Sequence, residues 1–274
     1  MPSEDEIFSK QADLFLEAAD LMQNRISQIE PGKDSQDIPT EDAAVRIFKV
    51  RSLRVYRDTL RFLAKEILKK DDRRHYFLLP HVRTQQDIYA RFLHLRINCA
   101  DLAAQALTCI AYQLLTYRAL GESGYKKTLP IYKDFLIRQN FLFPEESLEL
   151  TPEWVRDRNL AFVNKRKLLK PENIKDYAVY TLDVFKPSQT YEIYSYLSEF
   201  MHGNPYYYNE SACNEKFWVL TMSLQTASCL IELIDRATLK KINPRDFRVW
   251  LSKINATKKD VIGLWKQRRP PEQL

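Results

Sequence analysis

The hydrophobic pattern of this chain is helical over most of its length. Residues 40–79, 81–120 and 206–243 contain neither glycine nor proline, and each stretch is 38 to 40 residues long. Apolar side chains recur in them at spacings of three and four, which places those side chains on one side of a helix. No stretch shows the alternating pattern of a strand bounded by turn residues. The pattern therefore predicts an all-α fold.

Capping residues, glycines and prolines mark the ends of ten predicted helices. These helices span residues 4–29, 41–70, 85–120, 129–139, 152–166, 172–183, 188–202, 210–241, 244–254 and 257–267. Ser3 with Glu6 and Thr84 with Asp87 match the capping-box pattern at two of the starts. We expect the two long helices at 85–120 and 210–241 to pack together as the centre of a bundle.

The predicted helix at 85–120 carries the clearest core seam. Its members step by four and three along one side: Ile88, Phe92, Leu95, Cys99, Leu102, Ala106 and Cys109. Cys99 and Cys109 would then lie about 15 Å apart on one helix, as buried free thiols. His94 lies at the margin of the seam, where we expect a partly buried, hydrogen-bonded imidazole.

A polar segment divides the chain near its start. We interpret residues 31–40 as a linker between an N-terminal acidic helix within residues 1–30 and a helical bundle over 41–267. Residues 121–186 are richer in glycine and proline, so we interpret them as an insertion of shorter helices in that bundle. Residues 268–274 are predicted to be a disordered tail.

Composition excludes several classes of protein. The chain has 33 aromatic residues among 274, too many for a disordered protein. No apolar run approaches 18 residues, and the first thirty residues carry seven acidic and two basic side chains, unlike a secretory leader. The four cysteines form no metal-binding spacing, and no phosphate loop or dinucleotide fingerprint is present. We therefore expect a cytoplasmic protein without membrane contact, metal or small-molecule cofactor.

The net charge of +6 is unevenly distributed. Seven basic residues fall within an arc of about 140° on the predicted helix at 41–70. They are Arg46, Arg51, Arg54, Arg57, Arg61, Lys65 and Lys69, and we call them the basic stripe. We expect no acidic side chain on this arc, which makes the stripe a candidate RNA-binding surface. The alternatives are a solvated helix face or a docking surface for the acidic helix at 4–29.

Candidate chemistry is concentrated near the end of the predicted helix at 188–202. Tyr194, Ser198 and His202 step by four and share one face, and Gly203 follows His202 directly. The helix dipole favours a protonated histidine in the last turn, so His202 is a candidate general acid beside the Ser198 hydroxyl. The alternative is a structural histidine that ties the helix end to the turn after it.

The pattern Tyr-x-x-x-Ser-x-x-x-His-Gly-Asn-Pro, from Tyr194 to Pro205, resembles an uncharacterised bacterial family of HEPN-like helical proteins. The similarity covers roughly residues 45–240. It implies a helical bundle that forms homodimers. Many HEPN-like proteins are metal-independent ribonucleases of toxin–antitoxin and phage-defence systems, in which an arginine and a histidine meet at the dimer interface.

The chain departs from that arrangement at the arginine. Residues 195–197, where the arginine partner of His202 should stand, are serine, tyrosine and leucine. The required spacing occurs with Arg74 and His81, which form a weaker alternative pair. Asp71 and His75, four residues apart, are a weaker still candidate for a metal site.

Two functions follow as predictions. The first is a HEPN-like protein that binds or cleaves RNA, with Tyr194, Ser198 and His202 as catalytic residues. Its phosphate contacts would come from the stripe, chiefly from Arg46, Arg54, Arg57, Arg61 and Lys65. The second is a non-catalytic interaction module with a structural His-Gly-Asn-Pro turn. We also expect a homodimer, because the apolar faces marked by Leu53, Leu60 and Ile67 and by Ile88, Leu95 and Leu102 exceed what one bundle covers.

Overall fold

The computed structural model describes residues 3–30, 40–69, 78–99, 101–120 and 122–139, with isolated positions farther along the chain. Those positions are 197–198, 201, 248–249, 252–253, 255–256, 259–260 and 263. The long segments form five helices: α1 (Glu4–Ile29), α2 (Thr40–Ile67), α3 (Leu79–Asn98), α4 (Leu102–Leu120) and α5 (Glu122–Arg138). Among these residues there is no strand, which confirms the all-α prediction for them.

Several predicted helices lie outside the described residues. These are the helices at 152–166, 172–183 and 210–241, so the expected packing of 210–241 against 85–120 lies outside them too. The helices at 188–202, 244–254 and 257–267 are described only at isolated positions, all of which are helical. Within the described part of the chain, none of the helices combines the length and apolarity needed to cross a membrane.

The chain divides into two compact units. The first takes in Met1–Ser27, Ser52–Leu93 and Ile174–Leu274, and the second takes in Gln28–Arg51 and His94–Asn173. Helices α2 and α3, and α1 through its last two residues, therefore contribute to both units.

Helix α1 begins with the predicted capping box. The Ser3 backbone N–H donates to Glu6 Oε2 over 2.7 Å, and the Glu6 N–H donates to Ser3 Oγ over 3.3 Å. The bond from the Ser3 N–H lowers the pKa of Glu6. Apolar side chains of α1, including Phe15 and Met22 at 0% exposure, are buried in the first unit. Helix α1 thus contributes to the core of the first unit.

Helix α2 buries the arc opposite the basic stripe. The predicted apolar side chains are all at 0–1% exposure: Leu53, Tyr56, Leu60, Leu63 and Ile67. Burying a side chain of this size stabilises the fold by about 2 kcal/mol. The rotation of α2 about its axis is therefore fixed, and with it the direction in which the stripe faces.

The predicted helix at 85–120 is two helices, α3 and α4. Helix α3 begins at Leu79 and ends at Asn98, and Asp101 caps a new start, its Oδ1 accepting from the Ala104 N–H over 2.7 Å. Thr84 and Asp87 lie inside α3, where Thr84 Oγ1 donates to the Pro80 carbonyl over 3.0 Å. Asp87 pairs with Arg83. The capping box predicted at Thr84 is therefore wrong.

The break between α3 and α4 changes the position of Cys99. Cys99 Sγ lies 3.3 Å from Thr108 Oγ1, so Cys99 and Cys109 do not stand about 15 Å apart on one helix as predicted. Both thiols are free and buried, which confirms that part of the prediction. Leu102 is 45% exposed, although the other six seam residues are buried. The reason is that α4 is a separate helix, so the spacing counted along α3 does not predict which side of α4 its first residue lies on.

The second unit has a core of its own. Val45 from α2, Leu95 from α3, Ile110 from α4 and Phe135 from α5 are buried together in it. Helices α4 and α5 pack against each other, and Tyr132 Oη donates to Gln113 Oε1 over 3.0 Å between them. Helix α5 begins at Glu122, seven residues before the predicted start, and continues through Pro130.

Candidate nucleic-acid interface

The predicted catalytic face is described at one of its three residues. Ser198 is helical and partly buried beside Leu197, which is 2% exposed. Tyr194 and His202 lie outside the described residues. The same holds for Arg74 of the alternative pair and for the metal candidates Asp71 and His75. Across the described residues, no group of acidic, cysteine or histidine side chains could hold a metal ion.

Six of the seven residues of the basic stripe lie on α2, while Lys69 follows the end of that helix at Ile67 and not at residue 70 as predicted. The members of the stripe differ in what they contact. Arg54 and Lys65 are exposed, and both belong to the first unit with Arg57 and Arg61. Lys69 is 47% exposed and pairs with Glu66 over 2.5 Å, three residues earlier. Since all three side chains are exposed, an external anion can reach them.

Arg57 is the most enclosed member of the stripe. Its side chain is 18% exposed, and its guanidinium donates both to Gln23 on α1 and to Asp58, the latter from Nε to Oδ1 over 2.8 Å. At the helical spacing of about 100° per residue, Asp58 itself falls inside the arc of the stripe. The expectation of an arc without acidic side chains is therefore wrong.

Arg61 contacts the acidic helix from the same side of α2. Its Nη2 lies 3.4 Å from Asp20 Oδ1, and the two side chains are 43% and 73% exposed. Helix α1 thus contacts two of the stripe arginines, through Asp20 and Gln23. Arg61 keeps much of its surface, because the Asp20 carboxylate reaches only one edge of the guanidinium.

The first residues of the stripe lie in the second unit. Arg46 is 34% exposed and pairs with Asp42 one turn earlier over 2.5 Å, while Arg51 is exposed. Within this unit, Lys49 is largely buried and burial lowers the pKa of its ammonium group. Burial also raises the pKa of the nearby Cys109 thiol, so this cysteine stays protonated and is a poor nucleophile.

An aromatic pair that the sequence does not predict lies beside the stripe. The Phe62 ring on α2 contacts the His81 imidazole on α3, with ring centroids 4.6 Å apart and a 46° tilt. Phe62 is 39% exposed, although phenylalanine is usually buried. The sequence does indicate that Phe62 is close to the stripe, since it stands three residues before Lys65 and seven before Lys69. Its contact with His81 depends on how α3 packs and has no signature in the local sequence.

Comparison of the chain with known proteins finds no relative. No family model matches the chain, and the searches of curated proteins and of solved structures give no match.

Proposed function

We propose that this chain is a HEPN-like helical protein that binds RNA through the basic stripe of α2. The observation that carries the proposal is the division of α2 into two sides. One side is fixed by five side chains at 0–1% exposure, and the other presents Arg54 and Lys65 to solvent, with the exposed Lys69 two residues beyond the end of the helix. A rigid row of exposed cations favours a polyanion, because each neutralised phosphate releases condensed counterions.

The contacts with α1 modify this surface without removing it. The exposed Arg61–Asp20 pair is worth about 0–1 kcal/mol, so a phosphate can replace the carboxylate at Arg61. Arg57 is held more firmly, by Gln23 and Asp58 together. We therefore assign the main phosphate contacts to Arg54, Arg61, Lys65 and Lys69, and a positioning role to Arg57.

The catalytic part of the proposal depends on the sequence resemblance. In that reaction the ribose 2′-hydroxyl would attack the phosphorus, giving its proton to water and forming a 2′,3′-cyclic phosphate as the bond to the 5′-oxygen breaks. His202 would act as the general acid that protonates the departing 5′-oxygen, with the Ser198 and Tyr194 hydroxyls orienting the imidazole. A homodimer would place two copies of this face near the RNA. The reaction would require no metal ion.

Binding is tested by charge reversal on the stripe. The variant Arg54→Glu with Lys65→Glu should weaken RNA binding strongly at low salt. It should also flatten the log–log salt dependence by roughly 0.7 for each phosphate of a single strand that the variant no longer neutralises. The matched control is Lys10→Glu with Lys127→Glu, which makes the same charge change at exposed positions outside the stripe. Equally weakened binding in the two variants would contradict a specific role for the stripe.

Cleavage is tested separately from binding. His202→Ala should retain RNA affinity and lose any cleavage of the bound strand. If cleavage persists in that variant, His202 is not the general acid. If the wild-type chain binds RNA but cleaves nothing, the protein is a binding module only.

The contacts between α1 and the stripe favour a second candidate, a non-catalytic interaction module. In that case the stripe would serve as an internal docking surface for α1, a role that the contacts of Arg57 with Gln23 and of Arg61 with Asp20 support. RNA binding that is absent at low salt, with Asp20→Ala lowering the free energy of unfolding, would favour this candidate.

A further inference from the structure

The Phe62 ring is partly exposed and is supported from one side. The His81 ring contacts it at 4.6 Å, while 39% of Phe62 remains open to solvent. Burial lowers the pKa of the His81 imidazole, so at neutral pH this ring is uncharged and acts as an aromatic support. An aromatic ring fixed in this way is pre-organised to receive a second flat group on its open surface.

The charged side chains near Phe62 on α2 are of both signs, and the acidic ones are paired. Asp58, one turn earlier, accepts a hydrogen bond from Arg57 Nε over 2.8 Å. Glu66, one turn later, pairs with Lys69, which follows the end of α2 at Ile67. Lys65 stands three residues after Phe62 and is exposed, so an anionic partner that also carries a flat, apolar group can contact both side chains.

We propose that Phe62, supported by His81, is a stacking platform for an unpaired RNA base, so that the stripe selects single-stranded RNA over duplex. This inference depends on the proposed RNA binding and names its substrate class. A base can stack on a protein ring only when it is free of its own helix, whereas phosphates are available in both forms. Single-stranded RNA supplies both the phosphates for Lys65 and Lys69 and the π-face for Phe62.

The experiment measures binding of the full chain by fluorescence anisotropy, using a labelled 12-nucleotide single-stranded RNA and the corresponding 12-base-pair duplex. Phe62→Ala should weaken single-strand binding by roughly tenfold or more and leave duplex binding within about twofold. Phe62→Leu keeps the apolar volume without the π-face, and it should resemble Phe62→Ala. Phe62→Trp should retain single-strand binding, and the new indole should be quenched when RNA binds.

The matched control is Val55→Ala. Val55 is 49% exposed, lies two turns before Phe62 on the same side of α2, and has no aromatic ring. Its truncation should leave both affinities unchanged. Urea midpoints of all variants check that each one is folded.

The outcomes separate this inference from the proposed function. The stacking platform is wrong if Phe62→Leu binds single-stranded RNA as tightly as the wild type does. It is also wrong if this variant binds single-stranded and duplex RNA equally weakly. In both cases the proposal that the stripe binds RNA still stands. If the wild-type chain binds neither form at low salt, the proposed function fails and this inference fails with it. A wild-type preference for duplex would also overturn the platform.

Discussion

Three polar side chains on α3 are almost completely excluded from water. Gln85 and Gln86 are 0% exposed, and His94 is 1% exposed. Neither glutamine amide has a hydrogen-bond partner within the part of the chain that is described. His94 is more buried than the partly buried imidazole expected from its place in the sequence.

Burial of His94 makes the stability of the protein depend on pH. Desolvation lowers the pKa of the imidazole to about 4 in the folded chain, against about 6.5 in the unfolded chain. Between these values the unfolded chain binds a proton that the folded chain does not. The free energy of unfolding is therefore highest above about pH 6.5, where this proton is bound in neither state. It decreases by about 3 kcal/mol as the pH falls to 4.

Urea unfolding at a series of pH values tests this effect. His94→Gln removes the titrating group, so the free energy of unfolding of the variant should fall less steeply than that of the wild type between about pH 6.5 and pH 4. Comparison of each protein with its own value at pH 7 removes the cost of the substitution itself. Parallel curves would show that His94 titrates alike in both states.

At the scale of elements, the sequence determines helix ends well where local groups suffice. The capping box of Ser3 and Glu6 placed the start of α1 correctly, and Pro31 lies just beyond its observed end at Ile29. The break after Asn98 was missed because it contains neither glycine nor proline. Its one sequence signal is Asp101, a good N-cap that was interpreted as an interior helix residue.

The candidate site also combines features that the sequence predicts with features that it does not. The two sides of α2 follow from its periodicity, and the structure confirms the buried side. The contacts of Arg57 with Gln23 and of Phe62 with His81 join residues 34 and 19 positions apart. Such contacts depend on how whole helices pack, which local spacing does not encode. Asp58 is different, since its position on the arc was already available from the sequence.

The Asp101 cap is expected to stabilise α4 measurably. Asp101→Ala removes the acceptor of the Ala104 N–H and should lower the free energy of unfolding by about 1 kcal/mol. Asp101→Asn and Asp101→Ser keep an acceptor at the cap and should lose much less. Urea unfolding of the three variants at neutral pH makes the comparison. An alanine variant as stable as the asparagine variant would contradict a capping role.

At the scale of the whole molecule, the structure removes one argument for a dimer. The apolar faces on which that argument was based are covered within the chain, since Leu53, Leu60, Ile67, Ile88 and Leu95 are all buried. Only Leu102 among those side chains is exposed. The proposed homodimer therefore depends on the HEPN-like resemblance and on the shared site that the resemblance implies.

Sedimentation velocity tests the homodimer directly. At micromolar concentration the chain should sediment with twice its mass of 32.5 kDa. His202→Ala should leave that mass unchanged, because a proton-transfer residue is not required for association. A single species of 32.5 kDa at every concentration would contradict the homodimer and, with it, any site shared between subunits.

The break between α3 and α4 also determines where the chain tolerates a change in length. Inserting one residue inside a helix turns every later side chain by about 100° and moves buried groups to the surface. Directly before Asp101 an added residue leaves the helical phase of α4 intact, because the Asp101 cap starts that helix afresh. The buried contact of Cys99 with Thr108 limits where the residue can be added, since a shift of Cys99 would break it. One added residue before Asp101 should therefore lower the free energy of unfolding less than one added between Ala106 and Ile110.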